Sequence, residues 1–422
     1  MAAVEDLFSR DGTFNIGGAG LEAVLEHNST PLYAYSADLI DSAFAEVSRL
    51  FPDFDIIYSF KANPGLAICS RMRNLGAGAD VSSMGELRAA VRTGFKPRDI
   101  FFVGPAKTEA EIAFAVEMGI YAVIAESGSE LSTIDRHACR LSRRQRVLLR
   151  VNTSEAPSSP EVMVGGPSKF GFDEEAVADE IRASDLSNID IAGIQVYSAS
   201  QVLDAGFICG HMDHVLRLAF ELSDELGFPL ECIDFGGGFG VPYGEDDRDL
   251  DIETVSERAR RMATDNAARL EGCRLVFELG RYLVARSGVF LTRVLGVKES
   301  RGKRFVLTDG GMNAFSRPVF MNVRHPVRVV SKMNEPAELE YNICGPICTP
   351  IDCLGNGVML PRVERGDIIG IFNAGAYGYT MSLMNFMSLG WPAEVLVDGG
   401  RINLIRRPRS PEAVFDDQVI PD

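Results

Sequence analysis

The chain has 422 residues, a formal net charge of −17 and 46% hydrophobic residues, with a sequence pI near 4.9. That length exceeds one ordinary domain of roughly 100 to 200 residues, so two domains are expected, one of which can be a barrel of about 250. The acidic balance argues against nucleic acid or an anionic membrane as partner, and no apolar run reaches transmembrane length. The eight cysteines form no CxxC pair, and residues 1–20 hold no charged-then-apolar leader, so free thiols and a cytoplasmic location are expected. Among five histidines only His211 and His214 stand close together, and their helical spacing reads as a helix surface rather than a metal site.

In chain order, Phe14 to Gly18 reads as a short strand and turn, followed by an amphipathic stretch through Leu25 and then Thr30 to Tyr35. From Tyr33 to about Leu283 apolar strands and helical segments alternate, with Gly, Pro or Asn at most junctions. The strand candidates are Ile56 to Phe60, Gly78 to Val81, Ile100 to Val103, Ala122 to Ala125, Arg146 to Val151, Ile191 to Val196, Cys232 to Phe235 and Leu275 to Glu278. Such a series predicts an α/β fold, a (β/α)8 TIM-type barrel over residues 33–283. In that fold the chemistry sits at the C-terminal ends of the strands.

The first of those ends delivers Lys61, within Tyr58-Ser59-Phe60-Lys61-Ala62-Asn63-Pro64. Pattern alone fits an exposed strand-end lysine as well as an amine held at a barrel mouth, where desolvation prepares it to form a Schiff base. The later ends carry Asp80 to Glu86, Arg150 to Asn152, Tyr197 to Ser200, Asp234-Phe235-Gly236-Gly237-Gly238-Phe239-Gly240, and Glu278-Leu279-Gly280-Arg281-Tyr282. A glycine triplet by itself reads as a tight turn. Beside Arg281, a guanidinium able to grip phosphate, and Ser198, a hydroxyl, it reads better as a backbone that approaches an anion.

Beyond Tyr282 the runs become short and alternating: Gly288 to Val294, Phe305 to Thr308, Ala337 to Ile343, Asp367 to Phe372 and Ala393 to Val397. They predict a β-rich second domain over 284–422, joined by residues 1–32 with the strand Phe14 to Ile16. Arg406-Arg407-Pro408 and the acidic tail read as solvated. Cys348, in Cys344-Gly345-Pro346-Ile347-Cys348-Thr349-Pro350, is placed in a loop by the prolines, while Cys344, Cys353 and Cys273 read as small buried hydrophobes.

Taken together, YSFKAN, GADVSSMGE, SKFGF, DFGGGFG, ELGRY, CGPICTPIDCLG and NAGAYG resemble the fold-type III pyridoxal-phosphate decarboxylases, the family of ornithine and diaminopimelate decarboxylases. The resemblance spans nearly the whole chain. It implies an alanine racemase-like fold, a barrel followed by a β-domain, and a homodimer with active sites at the interface. It also implies pyridoxal 5'-phosphate as cofactor, bound to Lys61. Glu278 matches the carboxylate beside the pyridine nitrogen, which favours decarboxylation over racemisation. Gly236, Gly237, Gly238, Ser198, Arg281 and Tyr377 match the phosphate cradle, and Asp80, Glu86 and Arg150 match positions that orient Lys61 and Glu278. For Glu86 a barrel-end salt bridge without a catalytic part fits equally well. Gln195 stands where the family usually has a histidine on the face of the cofactor ring; glutamine can lie flat and hydrogen-bond but cannot become a cation.

Cys348 matches the cysteine that reaches the partner subunit's cofactor and helps control reprotonation. The family's diamine enzymes place an acidic residue directly after it, whereas this chain has Thr349, and a buried ammonium without a carboxylate partner is costly. The Thr-Pro pair instead resembles the branches that decarboxylate carrier-tethered glutamate and carboxylate-rich siderophore intermediates. Arg317 reads equally as a carboxylate clamp or a surface arginine, and His325 and Tyr377 join Thr349 and Arg317 as candidate substrate contacts. These features predict a decarboxylase acting on an acylated, carboxylate-bearing or carrier-tethered L-amino acid. The other readings are a diaminopimelate or other free amino acid decarboxylase, a racemase of the same fold, and a non-catalytic cofactor binder.

Overall fold

A computed structural model describes residues 4–421 apart from 27, 155–160, 163 and 245. It divides into two compact units, one of Met1–Ala43, Pro242–Asp247 and Leu283–Asp422, the other of Phe44–Val241 and Arg248–Tyr282.

The second of these is a closed parallel barrel. Its strands are β1 (Phe54–Ser59), β2 (Gly78–Val81), β3 (Ile100–Phe102), β4 (Ala122–Ala125), β5 (Gln145–Asn152), β6 (Ile189–Gln195), β7 (Cys232–Gly237) and β8 (Arg274–Leu279). Each pairs with the next, and β8 returns to β1 with Phe277 opposite Ile56. All eight expected strands are present, within two residues of their expected ends. They form because their side chains are apolar on both faces, one packing inward and the other under helices. Ile57, Phe101, Ala122, Ile124, Leu148, Ala192, Cys232 and Val276 belong to one buried cluster. The helices after β2, β3 and β4 start at Ser83, Thr108 and Ser127, whose hydroxyls accept the backbone N–H three residues on. These caps fix where each βα loop turns.

In the first unit a large sheet runs through Gly288–Ser300, with Leu32–Ser36 beside it. All but the first residue of Leu32–Ser36 falls inside the range 33–283 expected for the barrel, yet the strand pairs antiparallel with Gly288–Leu291 and parallel with Ala393–Val397. Its five residues are all buried, a pattern that a central sheet strand and a barrel strand share. The strand Thr13–Ile16 lies in a separate three-stranded sheet, and its Phe14 and Ile16 pack with Leu32, Val289, Phe372 and Val395. Strands Val327–Val329, Cys353–Leu360 and Arg401–Arg406 were not expected. Arg406, expected to be solvated, pairs with the buried Glu394, whose other oxygen accepts from Tyr35 Oη at 2.6 Å. Among the described residues, no helix is long and apolar enough to cross a membrane.

Candidate active site

Lys61 leaves the barrel one turn after β1 ends. Phe60 and Ala62 on either side are buried, which fixes the turn and sends the lysine to the mouth. Its Nζ lies 2.9 Å from Asp80 Oδ2, with a third of its side chain accessible and none of Asp80's. The Tyr197 ring centre is 5.2 Å away. The lysine is thus a held amine, not an idle strand-end charge.

Three carboxylates line the same barrel end: Asp80, Asp234 and Glu278, all buried. Gln195, also buried, donates from Nε2 to Glu278 Oε2 at 3.2 Å. Burial, reinforced by Asp80, pushes the Glu278 carboxyl up to about 7, while Lys61 and Arg150 pull it down. Burial and the neighbouring Glu278 also hold Asp234 well above the usual carboxylate range. Carboxylates crowded in a dry site cannot all ionise, so this set retains a proton near neutrality.

Arg150, at the end of β5, donates to Glu126 Oε1 at 2.9 Å and stacks on the Phe170 ring at 4.4 Å. Glu126 also accepts from Gly104 N and Gly171 N, tying three loops to one carboxylate. Behind it Lys107 pairs with Glu130 at 2.6 Å, and Glu130 accepts from Glu126 N. The charges of Asp80 and Lys61 both act on the Glu86 carboxyl, which also caps its own helix. Its Oε2 accepts from Ser82 N at 2.8 Å and its own N–H is capped by Ser83 Oγ, so it closes the start of the helix Met84–Arg92. Burial nevertheless pushes its carboxyl up to about 7.

The glycine turn that ends β7 is demanded by its neighbour. Gly236 has φ +64, and a Cβ there would lie 2.5 Å from Val196 O; at Gly238, φ +88, it would lie 2.2 Å from Ala199 O. Only glycine lets the loops after β6 and β7 approach this closely. The Gly236 N–H is committed to Asp234 Oδ1 at 2.8 Å. Gly237 pairs with Glu278 across the β7–β8 ladder. Ser198 and Arg281 are both buried beside the turn, and Arg281 Nη2 donates to Ser200 Oγ at 3.1 Å. His211, expected on a helix surface, instead turns inward to Ser198 Oγ and Phe235 O.

The remaining expected residues belong to the first unit. Arg317 is 1% exposed, which removes the surface reading; its guanidinium lies 4.9 Å from the Tyr243 ring and 5.7 Å from the Tyr377 ring. His325 is buried, with Nδ1 2.8 Å from Phe372 O and its ring edge-on to Tyr243 and Phe315. Tyr377 has the left-handed φ of +54. Cys348 is exposed and its N–H meets Met387 Sδ at 3.4 Å. Thr349 N donates back to Ile347 O at 2.8 Å, and Asp352 anchors the loop by accepting from Met312 N and Ile347 N. Cys344 and Cys353 are half-buried rather than core residues, and their sulfurs face each other at 2.9 Å across paired strands.

Among the described residues, Asp80 Oδ1, Gln195 Oε1 and Glu278 Oε1 are buried with no hydrogen-bond partner. Orphaned acceptors around a lysine call for a ligand that brings donors. A protonated ring nitrogen satisfies Glu278 and an aldehyde is reached by Lys61, so the residues fit pyridoxal phosphate, and the class is a pyridoxal-phosphate enzyme built on a TIM-type barrel with a β-rich second domain.

Residues 37–285 match the family described as pyridoxal-dependent decarboxylase, pyridoxal binding domain, and the chain belongs to that family. It is similar to the L-glutamyl-[BtrI acyl-carrier protein] decarboxylase of Niallia circulans, 35% identical over 96% of this chain and 97% of that protein. It is also similar to the diaminopimelate decarboxylase of Aquifex aeolicus, 33% identical over 94% of each. The crystal structure of diaminopimelate decarboxylase from M. jannaschii superposes with a TM-score of 0.91, at 29% identity and 99% coverage of both chains. The chain is a pyridoxal-phosphate-dependent amino acid decarboxylase.

Proposed function

We propose that this enzyme removes the α-carboxylate of an L-amino acid whose far end is acidic, acylated or tethered to a carrier protein, acting as a cytoplasmic homodimer in a specialised biosynthetic pathway. The observation that carries the reading is Thr349, a neutral residue where a diamine substrate needs a carboxylate, on a loop held in place by Asp352. A buried Arg317 among aromatic rings adds a cation suited to a carboxylate. The relative that acts on a carrier-bound glutamyl group supports the same reading.

In this proposal Lys61 would hold the cofactor through its amine, and Asp80 holds that amine in place. Glu278, oriented by Gln195, would hold the pyridine nitrogen. Bound there, pyridoxal phosphate supplies the electron sink for the pair released as CO2 departs. Arg150, fixed by Glu126 and Phe170, balances the acidic end of the barrel. Ser198, Gly236 to Gly238, Arg281 and Tyr377 are assigned to the phosphate, and Arg317, His325, Thr349 and Tyr377 to the substrate. Cys348 is assigned, with the homodimer, to proton delivery after decarboxylation.

A second reading, a free diaminopimelate decarboxylase, is favoured by the relatives that bear that name. Incubating the holoenzyme with equal concentrations of free glutamate, its acylated and carrier-linked forms, and meso-diaminopimelate, and following CO2, separates the two. Preferential turnover of diaminopimelate would overturn the first reading.

A further inference from the structure

Cys344 ends the strand Leu339–Cys344 and Cys353 opens the strand Cys353–Leu360, and the two stand opposite each other in the antiparallel ladder. The loop between them carries Cys348 and Thr349. Gly345 N donates to Asp352 O at 3.2 Å. A bond between the residues next to the pair, on its loop side, marks a non-hydrogen-bonded pair, whose Cα atoms lie about 4.5 Å apart with side chains close on one face. A disulfide spans that separation. The sulfurs are already 2.9 Å apart, and a bond of about 2.05 Å asks them to move by less than about 1 Å.

The base of this loop has no room to splay. A Cβ on Gly345 would lie 2.2 Å from Gly311 Cα and 2.5 Å from Asp352 Oδ2. Asp352 accepts from Met312 N and Ile347 N, and Thr308 Oγ1 donates to the Cys344 carbonyl at 3.1 Å. Both thiols are half-buried, so a small solute can reach them. The hydrogen bond from Cys344 draws the Cys353 thiol below its ordinary pKa, against burial and the Asp352 carboxylate, and the same bond raises Cys344. Cys353 is therefore the sulfur that ionises first and attacks.

We propose that Cys344 and Cys353 form a redox-sensitive lock: a low-molecular-weight disulfide joins them and so fastens the base of the loop that presents Cys348 and Thr349. The Cys353 thiolate attacks one sulfur of the reagent and expels its other half as a thiolate. Cys344 then gives its proton to solvent, attacks the mixed disulfide at Cys353 and expels the second half. Two protein thiols are oxidised, the reagent is reduced to two thiols, and the protons lost by the cysteines balance those the two thiols take up. Closing a ring of about ten residues favours the ordered loop over its open states by on the order of a hundredfold. The pairing stands apart from the proposed substrate; only the use made of the loop rests on that reading.

The test treats the holoenzyme with glutathione disulfide, blocks the remaining thiols with iodoacetamide and digests it with trypsin without reduction. The peptide that follows Lys332 and ends at Arg362 holds Cys344, Cys348 and Cys353. It is expected to carry an internal disulfide and a single substituent, label or glutathione, on Cys348; dithiothreitol before blocking should leave every cysteine of the peptide labelled. Hydrogen exchange at the amides of Gly345, Ile347 and Asp352 should slow by roughly ten- to a hundredfold on oxidation. The same treatment of Cys353→Ser should leave exchange unchanged, which controls for glutathione on Cys348; Cys344→Ser serves if that variant does not fold. Substituents on Cys344 and Cys353 in place of the link, a link to Cys348, or a link that leaves exchange unchanged overturns the lock. No arm reads turnover, so failure here leaves the substrate reading standing, and failure of that reading leaves this result standing.

Discussion

Glu278 is the group whose titration can be followed without turnover. In the cofactor-free protein its carboxyl is raised from the model-compound value of 4.5 to about 7, first by burial and then by Asp80. A raised carboxylate is protonated in the folded state and ionised in the unfolded one between those two values, so unfolding releases a proton there. Stability must then fall as pH rises from about 5 through 7 and level off beyond. Two to three units correspond to about 3 kcal/mol, on the order of 6 °C in Tm for a unit of this size. The perturbation is Glu278→Gln, which keeps the shape and removes the titration. Chemical denaturation of the cofactor-free forms at pH 5 and pH 8.5 should show the variant losing about 3 kcal/mol less than the wild type over that interval. Asp234 is held high by burial and by Glu278 itself, so the difference reports the titration of the Glu278–Asp234 pair rather than that of one carboxyl. Parallel pH profiles would show that Glu278 is already ionised in the fold, and the retained-proton reading of the acidic end would be wrong.

Further outcomes are expected. Borohydride reduction should attach the cofactor to Lys61, and peptide mapping that finds it on another lysine would refute the assignment; Lys61→Ala should lose both the visible absorbance and turnover. Mixing inactive Lys61→Ala and Cys348→Ala chains should restore part of the activity once subunit exchange is proven, since one site per dimer would be intact; no recovery counts against a shared site. Arg406→Met strands the buried Glu394 and should cost about 2 to 3 kcal/mol in denaturant unfolding; a change within about 0.5 kcal/mol would mean the pair is solvent-screened. Thr349→Asp should raise kcat/KM for lysine or ornithine relative to the native substrate by roughly ten- to a hundredfold, the worth of one charge-assisted contact; an unchanged ratio would remove Thr349 from the specificity argument.

The barrel was legible because each strand is a continuous apolar run closed by a turn residue, and its chemistry follows from position: Lys61, Asp80, Arg150 and Glu278 stand where such strands end. Glu126 obeys the same rule, directly after Ala122 to Ala125, and could have been found by it. Asp234 heads the seventh strand end in the sequence, but its burial and the influence of Glu278 on it give no sequence signal. His211 was misplaced because helical spacing identifies a face but not what that face covers. The barrel range was drawn from Tyr33 because the alternation of strands and helices was counted from there; only the partners of the strand Leu32–Ser36, far away in sequence at Gly288 and Ala393, show which sheet it joins. The same limit applied to Arg406, whose partner Glu394 lies across a hairpin that the alternating pattern did not reveal.

The most direct test of the substrate claim is mass spectrometry of a carrier protein loaded with an L-glutamyl thioester and incubated with the holoenzyme, alongside free meso-diaminopimelate, lysine and ornithine under the same conditions. The account predicts that the loaded carrier loses the mass of one CO2 while the free diamino acids are left largely unconverted. Rapid decarboxylation of a free diamino acid, with the loaded carrier untouched, would contradict it.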